Sequence, residues 1–419
     1  MELTEHPMLR RLPKDLDQIA KETGAIKRRR HLKGGEQLLW LALTYAGLPE
    51  SFRGLSALAA RAGCHLNDTS VRRRVMKAVE FLQEVLNLLL FGAGGDLRGK
   101  GIERRICLQD ATSISAPGSK GTDWRLHTVY VLGQGLAHIE LTDASVGEGL
   151  QHGEYNKGDI VIADQGLATT MSLHHVRSVG AYSVVRAYLR NLRVCDESGN
   201  RLDTLKLLDL ADRGICSHRV LLPVKGHESI AGRLLIFALP PEQASRNRQK
   251  LRRRASRKQD GVGEMGLRLA GCFVLFTTVP EEELSDDDVG KLYRLRWQIE
   301  LFFKRAKSIV GLDELAAKTP DVARAYLLGK LIIVALTEKA SMRLDEELRS
   351  DPRQYVGLWR LHQMCREELV AALREVGDRQ HDDIDALRAL GESPRKRQTA
   401  AELIDMFNRR FNPGMKPAN

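Results

Sequence analysis

Apolar and polar positions follow three successive regimes along the 419-residue chain. Residues 14–95 read as helical throughout. The run QLLWLALTY at 37–45 is apolar on every side, as in a buried helix. After a Gly/Pro break at 47–49 comes the outline of a helix-turn-helix, with a first helix at 55–61, a turn at 62–67 holding Gly63, and a second helix at 68–79. Asp68 or Thr69 is suited to cap that second helix. Five glycines within 92–101 then mark a linker.

Beyond the linker the period changes to that of strands. Segments 105–110, 126–132 and 136–143 read as a meander. The unbroken apolar run at 159–163 suits a fully buried strand. A helix at 167–180 and a strand at 181–186 follow. The stretch 189–283 reads as a β-rich insertion, with apolar runs at 201–208, 218–225, 232–240 and 269–280. Helical periodicity returns at 291–312, at 321–344 and at 358–374, and again at 399–411 after a charged segment, 377–397. The implied organisation is a helical domain (1–98), a mixed α/β core in two parts (99–188 and 284–345) around the insertion (189–283), and a helical C-terminal region (346–419).

Charge adds a partner class to this outline. A formal net charge of +11 favours a polyanion, most simply nucleic acid. Arg72, Arg73 and Arg74 open the second helix of the helix-turn-helix outline, and 27–30 (KRRR) adds phosphate-seeking charge upstream. Residues 246–259 carry eight Lys/Arg and no acid, including Arg252, Arg253 and Arg254, and read as a basic loop placed to meet phosphate. The six cysteines are scattered without a CxxC pair, which argues against a zinc module or a disulfide framework. No apolar run is long enough to span a bilayer and the N-terminus has no apolar core of a signal peptide, so a cytoplasmic, nucleoid-associated protein is expected.

The segment 291–312 concentrates the candidate chemistry. Tyr293, Arg296, Glu300 and Lys307 are offset by 3, 7 and 14 residues, within roughly a 60° arc of one helix. Leu295, Ile299, Phe302 and Ile309 form the opposite, core-packing stripe. The polar face fits a metal ligand flanked by anion-binding cations, and it also fits a solvated face of ion pairs. Two aspartates bear on that choice. Asp110 and Asp164 stand at or near the ends of buried strands, where an acid is costly without a partner. Asp143, Glu148 and Asp159 fall in turn-like or loop segments, and most of the three are expected to be solvated. Three antiparallel strands, a buried fourth and then helices is the order of a ribonuclease H-like core. In that core Asp110 and Asp164 lie on adjacent strands and a helical carboxylate completes the pocket. Such a pocket calls for divalent cations, Mg²⁺ or Mn²⁺.

Asp110 in LQDATSI, Asp164 in VIADQG, and the spacing Tyr293-x2-Arg296-x3-Glu300-x6-Lys307 together resemble the DDE transposases of bacterial insertion sequences, in the branch called insertion-sequence family four. DWRLHTVYVL and SFRGLSALAARAG extend the resemblance over nearly the whole chain. It implies cut-and-paste transposition, with Asp110, Asp164 and Glu300 ligating two Mg²⁺ ions. A freed 3′-hydroxyl then attacks its partner strand, through a hairpin end, or the target. It implies terminal inverted repeats and target DNA as partners, and a homodimer pairing two ends. It assigns Arg296 and Lys307 to phosphates, Tyr293 to a phosphate of a flipped nucleotide, and Phe273 to stacking on the flipped base. It also implies the β insertion between the second Asp and the Glu. Relatives carry Asp-Arg-Gly-Tyr around the second acid, where this chain has Gln165 and Leu167, and often Trp at the place of Phe273. Three other readings remain: an endonuclease that cuts without strand transfer, a non-catalytic DNA-binding derivative, and a plain helix-turn-helix repressor.

Overall fold

Five α-helices open the described part of the chain, and short polar residues cap two of them. In the computed structural model, which describes residues 3, 6–28, 32–91, 104–119, 121–189, 192–212, 217–259, 261–317, 319–348 and 356–378, these are α1 (Leu16–Glu22), α2 (Gly35–Gly47), α3 (Phe52–Arg61), α4 (Asp68–Met76) and α5 (Val79–Phe91). Ser51 caps α3 by accepting from the Gly54 amide. Asn67, not Asp68 or Thr69, caps α4 by accepting from the Ser70 amide, because the capping oxygen belongs on the last extended residue before the helix. Gly63 takes the left-handed φ of 72° in the turn that joins α3 to α4. The expected linker at 92–101 lies outside the described residues, as do Arg29, Arg30 and the segments 379–397 and 399–411.

The sheet begins with β1 (Ile106–Ile114), β2 (Trp124–Val131) and β3 (Gly135–Asp143), an antiparallel meander. β1 continues four residues past Asp110, because Asp110 to Ile114 stay paired with Thr128 to Trp124. Next come β4 (Ile160–Ala163), parallel to β1, then α6 (Thr170–Ser178) and β5 (Tyr182–Arg186), parallel to β4. α7 (Thr204–Asp212) replaces the strand expected at 201–208. Leu205, Leu208 and Ala211 recur at helical spacing, and Leu207 and Leu208 are buried. β6 (Ser217–Val224) and β7 (His227–Ala238) form a hairpin.

The basic run is a helix and not a loop: α8 (Pro241–Arg257) starts on a proline and consists mainly of good helix formers. After α9 (Glu264–Leu269), strand β8 (Cys272–Thr277) pairs with both β5 and β7. The result is one eight-stranded sheet in the order β3-β2-β1-β4-β5-β8-β7-β6. The strands of 189–283 therefore lengthen the sheet edge rather than form a layer of their own.

The remaining helices are α10 (Asp286–Tyr293), α11 (Trp297–Val310), α12 (Pro320–Leu348) and α13 (Leu358–Asp378). α12 is buried along most of its length and packs against α2, α4, α5, α11, α13 and β3, so the N-terminal helices share a core with the sheet. Among the described residues no helix is long and apolar enough to cross a membrane.

Candidate active site

Register places the two aspartates. Gln109 pairs with Ala163 across the parallel β1–β4 ladder, so the next residues, Asp110 and Asp164, emerge side by side. β4 ends at Ala163, which leaves Asp164 at its carboxyl end, while Asp110 lies within β1. Both are half-buried. Burial pushes the Asp110 carboxyl up to about 6; the Ala111 amide and the Arg296 charge oppose the rise, and the negative charges of Asp164 and Glu300 add to it. Asp110 accepts a hydrogen bond from the Ala111 amide at 2.8 Å.

The segment 291–312 supplies the other side of the site, in two helices and not one. Tyr293 ends α10, Arg294–Arg296 form a 3-10 turn, and Glu300 lies in the first turn of α11. All keep right-handed dihedrals, so Tyr293, Arg296 and Glu300 still meet. Tyr293 Oη donates to Asp164 Oδ1 at 3.2 Å. Arg296 donates to Glu300. Burial raises the Tyr293 pKa, and the charge of Asp164 raises it further. Burial works against the Arg296 cation, yet Tyr293, Glu300 and Asp164 together hold its pKa above the usual value. Arg296 Nε is buried without an acceptor. Behind this face Ile299 and Phe302 are buried as expected, whereas Leu295 and Ile309 are only half-buried. The 3-10 turn, at about 120° per residue, rotates Leu295 off the stripe.

Phe273 sits on β8 with its ring edge-on to Tyr293, centroids 5.2 Å apart. The Arg186 guanidinium stands over the Phe273 ring at 5.7 Å. Arg186, at the end of β5, escaped the sequence reasoning; the signal available was a cation closing an apolar strand two positions along the sheet from Asp110's strand. Lys307 is half-exposed, two turns and about 10 Å beyond Glu300, and among the described residues no contact joins it to the acids. Arg72 and Arg73 are exposed and Arg74 half-exposed on α4, with Arg72 donating to Thr319 Oγ1 at 3.1 Å. Arg252, Arg253 and Arg254 are exposed on α8. The structure brings neither group to the acids.

Asp143 and Glu148 are exposed as expected, Glu148 pairing with Arg125 at 3.3 Å. Asp159 is not solvated. It is 3% exposed, pairs with Arg105 at 3.0 Å and accepts from the Asn156 amide at 2.7 Å, so it is a structural acid that closes the turn into β4.

The donor set at Asp110, Asp164 and Glu300 suits a hard divalent cation in kind, being carboxylate oxygens that repel one another. As the side chains stand they are not closed around one. Among the described residues no three ligating groups gather closely enough to hold an ion, and Glu300 and Asp164 each engage a protein donor instead.

Residues 101–336 match the family described as Transposase DDE domain. The chain is 33% identical over 337 residues to the transposase for insertion sequence element IS421 of Escherichia coli, covering 78% of this chain and 90% of that protein. It is 22% identical over 409 residues to the transposase for insertion sequence element IS231F of Bacillus thuringiensis subsp. israelensis, covering 88% and 86%. Among solved structures, that of the piggyBac transposase synaptic complex with hairpin DNA aligns over 97% of this chain and 87% of its own, at 7% identity and a TM-score of 0.45.

Proposed function

The chain belongs to the transposase DDE domain family of insertion sequences, and from that premise we propose that Asp110, Asp164 and Glu300 are its catalytic acids. The observation that carries this is the β1–β4 register, which sets Asp110 beside Asp164 with Glu300 close enough to raise the Asp110 pKa. The order β3-β2-β1-β4-β5, a meander followed by two parallel strands, supports reading the core as ribonuclease H-like.

Asp110, Asp164 and Glu300 would hold two divalent ions, Mg²⁺ or Mn²⁺. When bound, these supply the charge and Lewis acidity that activate an attacking oxygen and stabilise a leaving one. The protein's own residues arrange the rest. Tyr293 orients the Asp164 carboxylate through its hydroxyl. As a ligand Glu300 would no longer hold Arg296, whose guanidinium with its spare Nε donor would then be available to a phosphate of the cut strand. Phe273, held between Arg186 and Tyr293, offers a ring at the rim for an unstacked base, and Arg186 joins it as a phosphate-binding candidate. Lys307 extends the cationic track along α11. Arg72–Arg74 on α4 and Arg252–Arg254 on α8 meet duplex backbone further out.

The reaction so read is end cleavage followed by attack of the freed 3′-hydroxyl, with two copies of the chain pairing two terminal repeats. The domain division at 98/99, 188/189, 283/284 and 345/346 belongs to the same proposal. The experiment is to incubate the protein with labelled terminal-repeat DNA and Mg²⁺, alongside Asp110→Ala, Asp164→Ala and Glu300→Ala. Each variant should still shift the DNA and fail to cut it; cleavage at the parental rate by any of them overturns the assignment. A denaturing gel of the parental products resolves the route. A hairpin band supports attack on the partner strand, joined target products support strand transfer, and nicks alone favour the endonuclease reading.

A further inference from the structure

Glu338, in the middle of α12, is 1% exposed and gathers donors from three other elements. Tyr130 Oη on β2 donates to it at 3.1 Å, Arg305 on α11 at 3.3 Å, and His362 Nε2 on α13 completes the set. His362 Nδ1 faces the Leu358 carbonyl at 2.8 Å. With an oxygen acceptor on each side, the ring meets both as a donor when it carries both protons. Burial would raise the Glu338 pKa, but the hydrogen bond and charge of His362, with Arg305 and Tyr130, hold it below the usual value. A carboxylate is kept ionised out of water, at a cost that a pair of apolar residues would avoid.

Its position relative to the acids suggests what it is for. Arg305 follows Glu300 by five residues on α11, about 140° around the helix, so the helix presents Glu300 to the strands and Arg305 to Glu338. Tyr130 pairs with Leu108, two residues before Asp110 and on the same face of β1. One buried carboxylate is thus bonded both to the helix that carries one catalytic acid and to the strand lying against another. Lys330, also on α12, donates to the Glu314 carbonyl at 2.9 Å and to Gly311, anchoring the end of α11.

We propose that Glu338 is a positioning residue that sets the rotation of α11, through Arg305, so that Glu300 meets Asp110 and Asp164. The inference rests on Glu300 being a metal ligand, and the test separates the two. Protein bound to pre-cut terminal DNA is titrated with Mn²⁺, free ion being read by electron paramagnetic resonance. Glu300→Gln comes first and should weaken binding at least about 10-fold; parental affinity there refutes the ligand reading and, with it, the positioning role. With that loss established, Glu338→Gln should weaken Mn²⁺ about 10-fold and Tyr130→Phe a few-fold. Both should keep parental end-DNA affinity without metal and melt cooperatively. Glu338→Gln should add nothing in the Glu300→Gln background. Parental Mn²⁺ affinity in a folded Glu338→Gln, or an equal loss in both backgrounds, overturns the proposal. Where Glu338→Gln does not fold, Tyr130→Phe decides, and its parental Mn²⁺ affinity is the refuting result.

Discussion

Glu300 and Glu338 are both glutamates on neighbouring helices, both paired with an arginine, and they differ in nearly everything else. The Glu338 side chain is 1% exposed and has three donors from three elements. The Glu300 side chain is 34% exposed, pairs with Arg296 one turn before it, and faces two more acids. The first is a satisfied charge whose removal leaves the buried Arg305 cation behind. The second is held by a partner it can exchange, in a place where negative charge is already in excess. An acid arranged in that second way is suited to bind something from outside the chain, and the same contrast distinguishes Asp110 from the satisfied Asp159.

Activity separates the two glutamates most directly. Glu300→Gln should lower end cleavage by about 10³-fold or more in a single-turnover assay. Its melting temperature should stay parental, because a partly exposed pair one turn apart contributes little. A large fall in melting temperature with cleavage retained would invert the roles of the two glutamates. Glu338→Ala should do the reverse in urea unfolding, costing about 3–5 kcal/mol by stranding Arg305 and His362. A cost under about 1 kcal/mol would mean the network is not a satisfied charge at all.

The excess negative charge is open to a pH test. The folded pKa of Asp110, about 6, lies above the usual 3.8, so the folded chain holds that proton more tightly than the unfolded one. The contribution to stability is complete below about pH 4 and is lost as pH rises through 6. Asp110→Asn should therefore stabilise the metal-free protein at pH 7 by up to about 3 kcal/mol, and by close to nothing at pH 4. Equal effects at both pH values would remove the electrostatic argument for the site. The smallest effect belongs to the outlying cations. Replacing Arg252–Arg254 by Gln should lower the slope of log affinity against log salt by about one for each phosphate no longer neutralised, with cleavage of bound DNA unchanged.

The regions also differ in how far their residues could be read in advance. The meander, the buried run at 160–163 and the strand after it were legible because period-two alternation and an unbroken apolar run are local signals. The helix α7 was not, since Leu205, Leu208 and Ala211 share a run short enough to suit a strand as well. Nor was α8, where charge density hid a sequence of strong helix formers behind a starting proline.

Residue type and spacing along the chain were enough to single out the candidate set: Asp110, Asp164, Glu300 and their Tyr, Arg and Lys companions. Tertiary structure decided which acids stand together and which are neutralised. The β1–β4 register put Asp110 beside Asp164, β8 brought Phe273 to Tyr293, and α12 carried Glu338 to Arg305, Tyr130 and His362. The difference is one of range. Helix and strand periods arise between residues a few positions apart, whereas the cost of a buried charge depends on donors that reach it from distant segments, such as Tyr130, 208 residues from Glu338.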